Sequence, residues 1–167
     1  IISAALVIDL ICEEYQHHTL ETLLSTPITM PEVVWGKVAA CLVLVPLQAG
    51  AWLALLALNR IAIANAPWIM AHVVAVSLVL ILCAALVSLY YRERTAAQFI
   101  FSTGVVVAML LVLALPGNPL NIIAQLAAGI ATPLQSAVLG VTAGTCLILA
   151  IATHAYARHV PATGWGE

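Results

Sequence analysis

The sequence predicts an all-α fold: a polytopic membrane helical bundle with one amphipathic helix lying at the interface. Three observations carry this. The chain is 64% hydrophobic and only 7% charged, with a mean hydropathy of +1.13. A soluble domain carries about 25% charged residues, so there is too little polar surface here to wet a globule. Four apolar runs, at residues 39–58, 68–91, 97–115 and 134–156, are each long enough to cross a hydrocarbon core of about 30 Å at a rise of about 1.5 Å per residue. The longest polar interval, residues 13–37 (EEYQHHTLETLLSTPITMPEVVWGK), holds four of the seven acidic residues and two of the five histidines.

Residues 1–12 are apolar apart from Ser3 and Asp9. As a helix they reach only about 18 Å, so they read as the end of a truncated span or as an interfacial segment. No initiator Met or basic flank precedes the run, which is not a signal-peptide pattern. Asp9 stands one turn from the polar boundary and is expected to reach headgroups or water. The alternative is an ion or substrate ligand.

In the polar stretch, Leu20, Leu23 and Leu24 stand at i, i+3 and i+4, with Tyr15 and Thr19 near the same face. Glu14, His18, Glu21, Thr22 and Ser25 fall mostly elsewhere. This is an amphipathic helix of about three turns, too short and too polar to span. Pro27 disfavours helix at Thr26 and ends it. A second helix starts at once, with Thr29 as cap, Pro31 in the first turn and Glu32 three places after the cap. The stretch is therefore helix, sharp break, helix, and residues 13–37 connect to a transmembrane domain over 38–167.

Trp35 and Lys37 anchor the first span at headgroup depth. Pro46 is expected to kink it, and Gln48 just beyond either lines a cavity or bonds across helices. Asn59-Arg60 and Asn65-Ala66-Pro67 bracket a short loop. His72, near the start of the second span, reads as a hydrogen-bonded packing residue rather than a ligand. Arg92-Glu93-Arg94 makes a tight charged turn. Pro116-Gly117-Asn118-Pro119 breaks the third span. Residues 120–131 are too short to cross and read as a re-entrant helix that dips partway into the bilayer. The last span carries Gly140 and Gly144 in a G-x-x-x-G pattern that permits close helix approach. Lys37, Arg92, Arg94 and Arg158 fall on one side and only Arg60 on the other. That asymmetry places the amphipathic stretch and the C-terminus in the cytoplasm of a cell-membrane protein.

Composition and motifs exclude several classes of chemistry. Five Lys and Arg in all cannot make a phosphate-binding stripe, so nucleic acid is not a partner. No G-x-x-x-x-G-K-[ST] loop, H-E-x-x-H or G-x-S-x-G occurs. His17 and His18 are adjacent, so on a helix they point about 100° apart and cannot chelate one metal; Glu13 and Glu14 fail as an acid/base pair for the same reason. Cys12, Cys41, Cys83 and Cys146 form no C-x-x-C pair and read as small packing residues. The complete spans hold no Asp, Glu, Lys or Arg at depth, which argues against a proton-driven carrier. Energy must come from outside the chain. A membrane-embedded lipid-modifying enzyme would need its reactive groups at one depth, whereas Asp9, His72 and His154 are scattered. A non-transporting scaffold or accessory subunit is the other alternative. Polar positions that could line a pathway are Gln48, Ser77 and Thr142.

The segment Glu14-Tyr15-Gln16-His17-His18-Thr19-Leu20-Glu21-Thr22-Leu23-Leu24-Ser25-Thr26-Pro27-Ile28, followed by Gly36-Lys37, resembles the coupling segment of the permease subunits of type 2 ABC exporters. The matching positions are Thr19-Leu20-Glu21, Leu23-Leu24, Thr26-Pro27-Ile28 and Gly36-Lys37. Glu14 matches the first acidic position of that pattern. Tyr15, Gln16 and His18 depart from it, standing where a base, an acid and a glycine are usual. The resemblance implies a coupling helix that docks on a separate ABC ATPase subunit through Glu14, Thr19, Leu20, Glu21, Leu23, Leu24, Thr26 and Pro27. It implies a second permease half, the same or different. It also implies that this chain has no cofactor or catalytic activity of its own, with ATP and Mg on the partner subunit. The substrate is not implied.

Overall fold

A computed structural model describes residues 2–16, 29–61, 63–114, 121–130 and 133–159. The described residues are helical, without strands: α1 (Ile2–Gln16), α2 (Met30–Leu58), α3 (Ala66–Tyr91), α4 (Arg94–Ala114), α5 (Asn121–Ala127) and α6 (Pro133–His159). Helices α2, α3, α4 and α6 are long and apolar enough to cross a membrane, which fits a membrane protein. The expected spans fall inside these four helices to within one residue at each end. Each helix starts earlier than its apolar run, at Met30, Ala66, Arg94 and Pro133, with a proline in the first turn of α2, α3 and α6.

The central element is α3, which packs against all five other helices. Its buried face combines large and small side chains: Ile81, Leu82, Ala84, Ala85, Ser88 and Leu89 are all at most 1% exposed. Between apolar helices in lipid, association rests on close packing rather than on expulsion of water, and the alanines and Ser88 let a neighbour approach.

Helix α1, expected as the end of a span or an interfacial segment, is a member of the bundle, lying against α2, α3 and α4. Ala4, Val7, Ile8, Ile11, Cys12 and Tyr15 are buried, a stripe with the 3–4 residue spacing of a helix packed on one side. The helix also runs past Cys12 to Gln16, because Tyr15 continues that stripe and gains a place in the core.

Helix α2 begins as its sequence signals require. The Thr29 backbone N–H donates to Glu32 Oε2 at 2.7 Å, and the Thr29 hydroxyl donates to the same oxygen at 2.8 Å. The helix then runs unbroken through Pro46. Its buried residues, Pro31, Val34, Val38, Cys41 and Val45, form one seam. This seam meets α1 in antiparallel sense: Tyr15 and Glu14 lie by Met30–Val34, and Leu10 by Lys37.

The α2–α3 connection turns through Arg60 and Asn65, both in the left-handed region at φ 59° and 57°. Helix α5 packs Ile122 and Leu126 on Ile69 of α3, with Ile63, Val73 and Val138 around them. The Ala64 N–H donates to the Ala127 carbonyl at 3.1 Å. Gly129, at φ +80°, then reverses the chain toward α6; a Cβ there would sit 3.3 Å from the Ala64 methyl, so both the backbone angle and the space favour glycine. Where the sequence predicts a re-entrant helix near 120–131, the described residues form seven residues of helix, Asn121–Ala127, and a turn.

Candidate functional site

The end of the bundle where α1 finishes and α2 begins carries a set of polar ties that reach α1 from α2, α3 and α4. From α2, Lys37 Nζ pairs with Glu14 Oε1 at 3.0 Å and also donates to the Leu10 carbonyl. From the end of α3, the Arg92 guanidinium stands 5.7 Å from the centre of the Tyr15 ring, within cation–π range. From α4, Arg94 grips Asp9 with two nitrogens, Nε to Oδ1 at 2.9 Å and Nη2 to Oδ2 at 3.0 Å. Gln98, one turn further along α4, donates to Asp9 Oδ1 at 2.6 Å.

The ties differ in weight. Lys37 and Glu14 side chains are 16% and 25% exposed, so solvent screens this pair little. Arg94 is 54% exposed, and its contact with Asp9 resembles a surface ion pair of about 0–1 kcal/mol. Burial pushes the Tyr15 phenol up to about 12, with the Arg92 charge opposing, so Tyr15 is neutral at any working pH. Sequence reading used Lys37, Arg92 and Arg94 as markers of orientation and missed that all three contact α1. The signal was present: Asp9 and Glu14 sit five residues apart, on the one helix whose partners carry these cations.

Of the residues assigned to docking on an ATPase, Glu14 is the one in view, and its carboxylate is engaged by Lys37 inside the chain. Thr19, Leu20, Glu21, Leu23, Leu24, Thr26 and Pro27, and with them the expected amphipathic helix, lie outside the described residues. The Glu14–Lys37 pair joins the last turn of α1 to the second turn of α2, so it closes the base of the polar stretch between them.

No family model matches the chain, and no curated protein or solved structure matches it.

The three pathway candidates stand on three helices. Counting from the helix ends opposite the polar ties, Gln48, Ser77 and Thr142 lie about 15, 16 and 14 Å in, near mid-span. Thr142 spends its hydroxyl on the Leu139 carbonyl at 2.9 Å. Gln48 is exposed and Ser77 half-buried. Gly140 and Gly144 are exposed on α6, and a Cβ at either would meet nothing within 4 Å. No described helix uses their close-approach face.

The scattered reactive groups stay apart. Asp9 is held by Arg94 and Gln98 near one end of the bundle. His72 is buried near the other, where its Nδ1 lies 2.8 Å from the Trp68 carbonyl and its Nε2 3.1 Å from the Gln135 carbonyl. Among the described residues no group of three His, Cys, Asp or Glu side chains could hold a metal ion. His72 thus performs the packing role expected of it, fastening α6 to α3. Gln135 extends the fastening by donating to the Ile130 carbonyl at 2.8 Å. A neutral His72 ring carries one N–H, so it donates to one of the two carbonyls. His72→Phe keeps an aromatic ring and removes that bond. Both carbonyls retain their helical partners, so the expected loss is about 1 kcal/mol. It is read as a lower unfolding midpoint of the detergent-solubilised protein; an unchanged midpoint would show that the bond contributes nothing.

Proposed function

We propose that this chain is the transmembrane permease subunit of a type 2 ABC exporter, moving a substrate with ATP hydrolysed by a separate subunit. In this reading the end carrying Lys37, Arg92, Arg94 and Arg158 faces the cytoplasm, and residues 13–37 are the coupling helix and connector that the ATPase grips. The chain itself holds no cofactor; ATP and Mg belong to the partner, and a second permease half completes the transporter.

The observation that supports the reading best is the Glu14–Lys37 pair. The two helices that leave the polar stretch are fastened together at its base, and α1 is fastened in turn to the ends of α3 and α4. A push on the stretch would be shared among four helices at once. That is the property a coupling element requires, since a ligand or motor changes a distant site only through an element both can bias.

Because Glu14 is tied internally, docking is tested at Glu21. Glu21→Arg together with Leu24→Glu is expected to reduce co-purification with the ATPase and stimulation of its hydrolysis by at least about tenfold, equivalent to about 1.4 kcal/mol. The unfolding midpoint of the permease alone serves as the folding control. Complex formation and efflux at the unsubstituted level would refute the reading.

A further inference from the structure

Helix α4 is fastened at one end. Its buried residues, Ala97 and Phe101, fall in its first two turns. So do Arg94 and Gln98, which hold Asp9 of α1. The stripe that Ala97 and Phe101 begin continues in steps of three and four at Val105, Ala108 and Val112. There Val105 and Val112 are half-buried and Ala108 is exposed. The face that is closed near Arg92-Glu93 is open further along.

The side chains of the far half do not fix its direction. Residues 105–114 (VVVAMLLVLA) include no polar group. In a membrane, an apolar side chain gains little from a neighbouring helix over lipid tails, so association rests on close packing and interhelical hydrogen bonds. Residues 105–114 can make no side-chain hydrogen bond, and none of them is buried among the described residues. The direction of α4 is therefore set by what holds its first two turns.

There the Asp9 carboxylate is the meeting point. Arg94 and Gln98 stand at i and i+4, on one face of α4, and both end on that carboxylate, Arg94 through Nε and Nη2 and Gln98 through its amide. Two attachments one turn apart fix the angle between α4 and α1 as well as their separation. The contact is also open to water, since the Asp9 and Arg94 side chains are 29% and 54% exposed. Water replaces the partners when the contact opens, so release costs little.

We propose that Asp9, Arg94 and Gln98 form a releasable clasp that sets the orientation of α4. Closed, it aligns α4 with α1. Open, it lets the far half of α4 spread from α3, while Ala97 and Phe101 keep the first two turns in place. The inference does not depend on the transport reading.

The test is the distance distribution between paired spin labels on the full chain in lipid nanodiscs, with Cys12, Cys41, Cys83 and Cys146 replaced by alanine. One pair, at Val76 and Met109, joins exposed positions on the far parts of α3 and α4. A second pair, at Tyr90 and Phe99, joins exposed positions near the turn between them. Asp9→Ala is expected to widen the Val76–Met109 distribution about twofold and to leave the Tyr90–Phe99 distribution unchanged. Gln98→Leu keeps the ion pair and removes one of the two attachments, so it is expected to widen the first distribution by less. The exchange Asp9→Arg with Arg94→Asp restores the pair and is expected to narrow it again. An unchanged Val76–Met109 distribution in Asp9→Ala and Gln98→Leu would overturn the proposal. Equal widening of both pairs would do the same, because the contact would then hold the whole of α4 in place and not its orientation.

Discussion

Lys37→Glu is expected to unfold the charged end of the bundle. The substitution places two carboxylates at a site that is mostly shielded from water, since the Lys37 and Glu14 side chains are 16% and 25% exposed. It also removes the bond to the Leu10 carbonyl. Breaking a buried pair from one side costs about 3–5 kcal/mol, because the remaining charge stays buried without its partner. That is a large share of the stability of any domain. The measurement is the amount of monodisperse protein recovered in mild detergent, together with its unfolding midpoint. The exchange Glu14→Lys with Lys37→Glu restores the pair but not the Leu10 bond, so recovery is expected to be partial. Full recovery would show that the Leu10 contact contributes nothing, and wild-type behaviour of Lys37→Glu alone would show the same of the pair.

The second large effect is expected at Ala85. Ile81, Ala84, Ala85 and Ser88 are completely buried on α3, and the Ser88 hydroxyl turns back onto the Ala85 carbonyl at 2.9 Å, leaving a smooth, small-residue surface. Ala85→Leu adds three carbons where there is no space. Overpacking of this kind costs about 1–3 kcal/mol and sometimes more. Here the upper end is expected, because a rigid helix cannot yield locally and must move as a whole. Val76→Leu, on an exposed part of the same helix, adds one carbon and is expected to leave the midpoint unchanged. Equal midpoints for the two variants would mean that α3 is not tightly packed at Ala85.

Long spans are legible in this chain because a run of about 20 apolar residues has few other uses. The start of α2 was legible for a local reason: Thr29, Pro31 and Glu32 act on one another and need no tertiary context. The same holds for the short helix α5, bounded by prolines. The role of α1 was not legible. Its buried and exposed faces are both apolar, with Ile2 70% exposed and Ile8 0%, so periodicity carries no contrast, and its length argues against a span. The seam of α2 is hidden in the same way, since Val43 and Val45 look alike in sequence and differ only in what lies beside them. Asp9 was expected to meet headgroups or water, and it meets Arg94 and Gln98, a pairing across 85 and 89 residues that no local pattern encodes. Among the pathway candidates, Gln48 is exposed and Ser77 half-buried, a difference that depends on neighbouring helices and not on local pattern.

The joint between α3 and α4 is only Arg92 and Glu93, with Arg92 in the left-handed region at φ 54°. Two residues leave no slack, so α4 cannot slide along its neighbour; it can only swing. Beyond Phe101 nearly all of α4 is exposed among the described residues. Its 21 residues make an arm of about 31 Å, so a tilt of about 10° at the joint would carry Ala114 through about 5 Å. The Asp9 grip on Arg94 and Gln98 sits beside that pivot, where a small displacement has the greatest mechanical advantage over the far tip.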